Sequence, residues 1–258
     1  MYLDVQAKQP GFAGEITNFD IDDIDEKSLR HMLQTYGVIF IRDQHGLDFE
    51  TLERVMSIFG SLKDISDKPS VNSIATENKY IRTIEYDGSP VDFPAGWFWH
   101  AETSYAENRP TTGLLYMTKV PPYGGDTLFA DQRMAYSQLS LGMKSYIKNL
   151  TCMHEVGYWF KNKPKEGTEQ HVVEHHPVTG EPYLNVSEIF TTRINGVSYN
   201  EGQYLLSFLK AHATNDLWVH RHTWTEGCIA IWDDRLVQHK AVHNFNRHDR
   251  FGYRLTTQ

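Results

Sequence analysis

Several things are scarce in this chain, and each scarcity excludes a class of protein. Two cysteines in 258 residues, Cys152 and Cys228, cannot form a disulfide framework, and free buried thiols in a reducing cytoplasm are expected. No apolar run approaches the roughly 20 residues that cross a bilayer. The start, Met1-Tyr2-Leu3-Asp4-Val5, is mixed in polarity rather than signal-like, so no membrane partner is expected. Positive charge is also in short supply. Lys and Arg number 25 against 33 Asp and Glu, a net charge of -8, whereas nucleic acid rewards clustered cations. There is no internal repeat, low-complexity tract or Pro/Ser linker, so a single domain over 1–258 is expected. Aromatic residues are plentiful at 13%, a load that suits a sandwich or barrel with an aromatic-lined cavity.

Periodicity gives a coarse map. Asp23 to Tyr36 has helical spacing, with Leu29, Met32 and Leu33 among charges and Gly37 in the C-terminal cap position. Val38-Ile39-Phe40-Ile41 reads as a buried strand. Phe49 to Phe59 is again helical, with Leu52, Val55, Met56 and Phe59 on one stripe. Residues 64–95 are irregular and hold Pro69, Gly88, Pro90 and Pro94 around the strand-like Tyr80-Ile81-Arg82-Thr83-Ile84; an insert of this length suits a lid. Strands are expected at Thr112–Met117, Leu128–Ala130, Cys152–Phe160, Tyr183–Val186, Cys228–Trp232 and Arg250–Thr256, and helices over 133–149 and Asn200–His212. Short strands with a few edge helices predict a mostly β fold with peripheral helices, a double-stranded β-helix or jelly roll, rather than βαβ units.

Chemistry concentrates in two places. Trp97-Phe98-Trp99-His100-Ala101-Glu102 carries a His-x-Glu pair, and in an extended segment positions i and i+2 point to one side. Trp232-Asp233-Asp234-Arg235-Leu236-Val237-Gln238-His239 supplies a distant second imidazole. Two imidazoles and one carboxylate can hold one face of an octahedral Fe(II) and leave the other face open. Arg250 and Arg254 follow on one face of the last strand, where guanidinium groups could hold a carboxylate-bearing cosubstrate. Each piece alone has a bland reading, a satisfied strand histidine or a surface-paired arginine. Their order is what raises the signal.

With these residues in view, the chain resembles the taurine dioxygenase and 2,4-dichlorophenoxyacetate dioxygenase family of Fe(II)- and 2-oxoglutarate-dependent oxygenases. The resemblance runs through Gly37-Val38-Ile39-Phe40-Ile41-Arg42-Asp43-Gln44, Trp99-His100-x-Glu102, Gly124-Gly125-Asp126-Thr127-Leu128 and His176-Pro177-Val178-Thr179-Gly180. It continues through Phe190-Thr191-Thr192-Arg193-Ile194 and Ile231-Trp232-Asp233-Asp234-Arg235-x-x-Gln238-His239. It implies His100, Glu102 and His239 as iron ligands, with Fe(II) as cofactor and 2-oxoglutarate and O2 as cosubstrates. Thr127 and Arg250 would hold the far carboxylate of 2-oxoglutarate, and Arg254 would lie near cosubstrate and substrate. Hydroxylation with release of succinate and CO2 is the implied reaction, with desaturation or ring closure as other outcomes, on a small-molecule substrate. Family members are commonly dimers or tetramers, so a homo-oligomer is implied.

Two departures bear on specificity. Glu102 stands where Asp is more frequent; by resemblance this choice accompanies amino-acid-like substrates, and a ligating carboxylate disfavours halogenation. About 29 residues before His100 lies Val71 with no histidine nearby, where a taurine-type sulfonate histidine would be, so taurine itself is disfavoured. Tyr105, Tyr158, Trp159 and Phe190 are candidate pocket walls, and Glu85, Tyr86, Asp87 and Asp92 a candidate amine-binding group. Two decoys remain. His171-Val172-Val173-Glu174-His175 fits an inverted zinc-peptidase pattern that needs a helix, yet its paired valines and the following His176-Pro177 favour a strand. His220-Arg221-His222 lacks a third ligand and reads as a strand exposing two polar residues. A sulfonate or aryloxyacid dioxygenase of the same family, and a cupin-like metal-binding module without 2-oxoglutarate, are the alternative functions.

Overall fold

Local hydrogen bonding sets the first elements of the computed structural model, which describes residues 5–23, 25–65, 76–86, 96–156, 167–245 and 249–258. Strands β1 (Val5–Gln9) and β2 (Phe12–Ile16) form a hairpin, and helix α1 (Glu26–Tyr36) follows. Asp25 caps α1 by accepting the Ser28 N–H at 2.9 Å, and Leu29, Met32 and Leu33 face inward. Gly37 ends α1 at φ 67°, where its N–H reaches the Leu33 carbonyl. Strand β3 (Val38–Ile41) is buried throughout. Helix α2 (Phe49–Ser57), capped by Asp48, turns Leu52, Val55 and Met56 to the same core. Next come β4 (Arg82–Tyr86), β5 (Thr112–Lys119) and β6 (Thr127–Asp131).

Where one helix was expected over 133–149, there are two, α3 (Gln132–Ser137) and α4 (Leu141–Ile147). The break follows from side-chain competition for backbone groups. Ser137 Oγ donates to the Met134 carbonyl, and Ser140 caps the second helix by accepting the Met143 N–H. The remaining elements are β7 (Thr151–Glu155), β8 (Gly167–His171), β9 (Val173–His175), β10 (Pro182–Leu184), β11 (Thr191–Ile194), α5 (Tyr199–Ala213), β12 (Val219–His222), β13 (Cys228–Asp233), β14 (Val237–Ala241) and β15 (Arg250–Thr257).

The large sheet has the order β1-β2-β3-β13-β5-β15-β4, and opposite it lies the small sheet β12-β6-β14. The only parallel pairing in the large sheet among the described strands is β2 with β3. This is the mostly β jelly roll with a few helices that the short strands predict. Period-2 alternation gives the large sheet two faces. Ile39, Ile41, Leu114, Ile229, Ile231 and Leu255 pack against α1 and α2. Val38, Phe40, Met117, Ala230 and Trp232 face the small sheet and meet Phe129 and Val237, with Phe40 edge-on to Phe129 at 5.5 Å. A third cluster lies among α3, α5, β7 and β11.

The strand beginning at Cys152 ends at Glu155, so Tyr158 and Trp159 lie outside the described residues, as do Asp87, Asp92 and most of the expected insert at 64–95. Both cysteines are free and buried, and burial pushes each thiol up to about 12. His220 and His222 correct the expectation of an exposed polar pair. His222 is buried and stacks on Phe40 at 3.8 Å, and His220 also contacts the Phe40 ring. His222 belongs to the interior of the roll and His220 is half-buried beside it, because β12 turns its even positions toward β3.

Buried neutral histidines make acid stability testable. His154 is 1% exposed, bonded to Ser104 Oγ at 2.9 Å, and burial pulls its imidazole down to about 4. A histidine whose folded value lies below its unfolded value leaves stability intact above about pH 6.5. That stability is lost as pH falls toward the folded value, because the unfolded chain takes up the proton first. His154 alone should therefore contribute a slope on the order of 1.4 kcal/mol per pH unit between pH 6.5 and about 4. Urea melts of His154→Gln should show a shallower pH dependence across that window; an unchanged slope would remove His154 from the account.

Candidate active site

The two motifs meet through backbone pairing rather than within one strand. His100 forms an isolated antiparallel bridge with His239, its N–H donating to the His239 carbonyl at 3.1 Å and its carbonyl accepting the His239 N–H at 2.9 Å. The strand geometry expected for His100 and Glu102 does not hold. The chain leaves that bridge at once into a turn, with Thr103 at φ 42°. What aims Glu102 is instead its backbone N–H, which donates to Asp234 Oδ2 at 2.7 Å. Asp234 Oδ1 in turn accepts the Trp232 indole N–H at 3.1 Å.

The result is a compact donor set. Glu102 Oε1 lies 3.7 Å from His100 Nε2 and 3.2 Å from His239 Nε2, and the ligand atoms of the three residues all fall within 4.8 Å of one another. Octahedral bonds of about 2.1 Å place adjacent donors about 3 Å apart, so the set is close to one face of such a site. The tautomer also suits a metal. His100 Nδ1 lies 2.7 Å from the Phe98 carbonyl, an acceptor that fixes the proton there and leaves the Nε2 lone pair toward the site. Burial, then the charge of His100, pulls His239 down to about 4, so its ring is neutral. Burial alone would lower His100 as well, but the hydrogen bond and charge of Glu102 and the Phe98 carbonyl leave it above its ordinary value. Burial alone would raise Glu102, yet the Arg254 guanidinium and the two imidazoles hold it well below the usual carboxylate range. Asp234 shows the opposite balance. Burial and then the charge of Glu102 push it up to about 7. Among the described residues this is the one group of three such side chains able to hold a metal.

Arg254 Nη2 contacts Glu102 Oε2, the oxygen turned away from the imidazoles. Arg250, Gly252 and Arg254 alternate onto that same face of β15, and Tyr86, Ile84 and Arg82 of β4 stand opposite them. Glu85 pairs with Phe251 on the other face and is exposed, which corrects its assignment to an amine-binding group. Arg250 is 7% exposed, with no carboxylate within ion-pair distance among the described residues. Burial pulls its guanidinium down to about 10. Thr127 begins β6, and its Oγ1 accepts the Trp224 indole N–H at 3.0 Å, leaving the hydroxyl proton free to donate. The Phe245 ring lies 4.9 Å from Tyr86, the register partner of Arg250, and 3.3 Å from where a side chain on Gly125 would begin. Tyr105 and Phe190 are both buried, in an edge-to-face pair at 5.1 Å. His171 and His175 lie on separate short strands, and Glu174 is held by Arg109 and Tyr183, so no peptidase helix exists there.

The supporting aspartates are what motif reading alone missed. Asp233 accepts from Arg235 at 2.9 Å and lies 3.0 Å from His176 Nε2, while Asp234 carries Glu102. Tandem carboxylates ending an otherwise apolar buried strand are the signal that could have found them. Gly113 leaves room for the same support, since a Cβ there would come within 2.3 Å of the Trp232 ring. Gly113→Ala should displace Trp232 and loosen Asp234 and Glu102 in sequence. We expect a stability loss of about 1–3 kcal/mol and a metal affinity lowered about 10- to 100-fold, read by denaturation and metal titration; an unchanged metal affinity would disconnect Trp232 from the site.

A jelly roll that brings two imidazoles and a carboxylate onto one face, with a buried arginine that has no carboxylate partner among the described residues, defines a mononuclear non-haem iron oxygenase. Residues 4–256 match the family described as taurine catabolism dioxygenase TauD, TfdA family, and the chain belongs to that family. It is 28% identical over 255 residues, 92% of this chain and 82% of its relative, to an alpha-ketoglutarate-dependent sulfate ester dioxygenase of Pseudomonas putida. It is 29% identical to a putative alpha-ketoglutarate-dependent sulfonate dioxygenase of Schizosaccharomyces pombe, matching 92% of this chain and 64% of that longer protein. Among solved structures, a putative alpha-ketoglutarate-dependent taurine dioxygenase from Burkholderia xenovorans superposes with a TM-score of 0.86 at 29% identity, covering 99% of this chain and 92% of that one. The protein is accordingly an Fe(II)- and 2-oxoglutarate-dependent oxidoreductase that uses O2, and a cupin-like module without 2-oxoglutarate is set aside. No helix among the described residues is long and apolar enough to cross a membrane.

Proposed function

We propose that His100, Glu102 and His239 hold the iron, that Thr127 and Arg250 hold the far carboxylate of 2-oxoglutarate, and that the substrate is a small amino-acid-like or other carboxylate metabolite. The observation that carries this reading is Arg250, a buried cation without a carboxylate among the described residues. Such a charge is costly unless an anion arrives to pair with it. The iron and its cosubstrate, when bound, supply the oxidation of an unactivated C–H bond with release of succinate and CO2. The chain's own residues do the rest. Glu102 presents one oxygen to the metal face while Arg254 keeps the other. Asp234 and Trp232 fix the approach of Glu102, and the Thr127 hydroxyl donates to the carboxylate that Arg250 neutralises. Tyr105 and Phe190 form an apolar wall that excludes water. Tyr158 is read as a wall residue too, outside the described residues. Residues 64–95 are read as a covering insert on a single domain.

A second reading, oxidation of a sulfonate, sulfate ester or aryloxyacid, is supported by the names of the relatives. One experiment separates the levels. Anaerobic Fe(II) protein should develop a metal-to-ligand charge-transfer band on addition of 2-oxoglutarate. Succinate formation is then measured across amino acids, sulfonates, sulfate esters and aryloxyacids. Absence of the band would overturn the site assignment, and selective turnover of sulfonates would replace the preferred substrate class with the second.

A further inference from the structure

Beside the donor set lies a small cavity of about 20 Å3 that neither the metal nor 2-oxoglutarate explains. Three of the residues around it are neighbours of the metal ligands. Ala101 lies between His100 and Glu102, Gln238 precedes His239, and Asp234 holds the Glu102 N–H at 2.7 Å. Gln132, the first residue of α3, lines the same space. Gln132 and Gln238 are 2% and 3% exposed. Gln132 Nε2 donates to the carbonyls of Ala130 and Ala213, each at 3.1 Å, and Gln238 Nε2 donates to the Val186 carbonyl at 2.7 Å. The Oε1 of each is buried and has no hydrogen-bond partner among the described residues. Flipping either amide gives no relief, because it would set an oxygen against those same carbonyls. Two buried acceptors on one cavity therefore call for a donor.

The side chains around the cavity do not supply that donor. Ser104 Oγ lies 2.9 Å from His154 Nδ1, and His154 Nε2 lies 3.3 Å from the Asn185 carbonyl. A carbonyl can only accept, so the imidazole proton sits on Nε2 and the Ser104 hydroxyl is committed to Nδ1. Arg109 is held by Gln170 and Glu174, and Arg235 by Asp233. A small molecule must then be the donor, and a space of about 20 Å3 admits one water. A monovalent cation would also satisfy two amide oxygens, but Arg109 and Arg235 line the same space and would repel it. We propose that this cavity binds one long-lived water, which donates one O–H to Gln132 Oε1 and the other to Gln238 Oε1. The water ties β14, the strand that carries His239, to α3. Gln132 and Gln238 are then positioning residues for the metal face. Their positioning role rests on the reading of His100, Glu102 and His239 as iron ligands; the water site does not.

Water-deuteron relaxation dispersion counts internal waters of long residence and needs no metal. Gln132→Met and Gln238→Met each replace an amide by an apolar chain of similar length, and each should lose one such water. Co(II) titration should show binding weakened about tenfold in either variant, with the ligand-field spectrum of the bound Co(II) altered. The two losses should not add in the double variant, because the second substitution finds the water already gone. Gln132 decides the point. Its amide bonds go to Ala130 and Ala213 rather than to any ligand, and Gln132→Met leaves the bond from Gln238 to Val186 in place. A high-resolution crystal structure of the unsubstituted protein should show water density within hydrogen-bond reach of both oxygens. The proposal is overturned if that density is absent, or if the water count is unchanged in the two variants. It is also overturned if Gln132→Met binds Co(II) with native affinity and spectrum. A Co(II) spectrum that changes when Na+ in the buffer is exchanged for K+ or NH4+ would put a cation in the cavity and overturn it as well. If circular dichroism shows that neither variant folds, the crystallographic density alone decides. Failure of the unsubstituted protein to bind Co(II) would fell the iron reading and leave the water count to stand or fall by itself.

Discussion

Glu102→Gln is expected to lower metal affinity and succinate formation each by more than about 100-fold, beyond what loss of an outer hydrogen-bond partner costs. The amide has the shape of the carboxylate but not its charge. The metal would then face two neutral imidazoles and a weak carbonyl donor, where the native set offers an anionic oxygen 3.2 Å from His239 Nε2. Arg254 would lose the carboxylate oxygen it contacts, and its cation would disfavour the metal it now helps to frame. The backbone bond from Glu102 to Asp234 does not depend on the side chain, so the turn should persist and the loss should be local. Metal content after dialysis and the rate of 2-oxoglutarate decarboxylation measure the effect. Wild-type metal retention in Glu102→Gln would take Glu102 out of the ligand set.

Arg250→Met should move binding and stability in opposite directions. If Arg250 pairs with the far carboxylate of 2-oxoglutarate, removing it leaves that anion buried against an apolar side chain. The cost is about 2–5 kcal/mol, roughly 30-fold to several thousand-fold in affinity. The empty protein, by contrast, holds Arg250 at 7% exposure with its guanidinium lowered to about 10 by burial. Replacing an uncompensated buried cation by an apolar side chain of similar length is expected to stabilise it, on the order of 1 kcal/mol or more. A charge-transfer titration gives the first quantity and urea denaturation of metal-free protein gives the second. An unchanged affinity for 2-oxoglutarate would refute the pairing. A large loss of stability would show that Arg250 is structural.

Some of the architecture is written in local pattern. The stripe Leu29, Met32 and Leu33 with Gly37 behind it specifies α1, and the uninterrupted Val38-Ile39-Phe40-Ile41 specifies a strand covered on both faces. These features depend on residues a few positions apart, which is why they are legible. The helix expected over 133–149 divides because Ser137 and Ser140 take backbone groups that apolar spacing does not register. The inward placement of His222 against Phe40 is equally invisible to composition, since a histidine reads as polar until its stacking partner on another strand is known.

Glu102 and Arg82 divide the account most clearly. The residue types of the donor set, His100, Glu102 and His239, and the arginines of the last strand are given by sequence order alone, because the chemistry of a metal and an anionic cosubstrate demands those side chains. The backbone of Glu102 is held by Asp234, 132 positions away along the chain, and its two oxygens are divided between the imidazoles and Arg254. Arg82 carries no motif at all. It becomes conspicuous only when sheet register sets it opposite Arg254, which has Glu102, while no carboxylate among the described residues lies within ion-pair distance of Arg82. Side-chain chemistry is a local property and survives in the sequence. Charge compensation is a property of neighbours, and neighbours across a sheet exist only once the chain has folded.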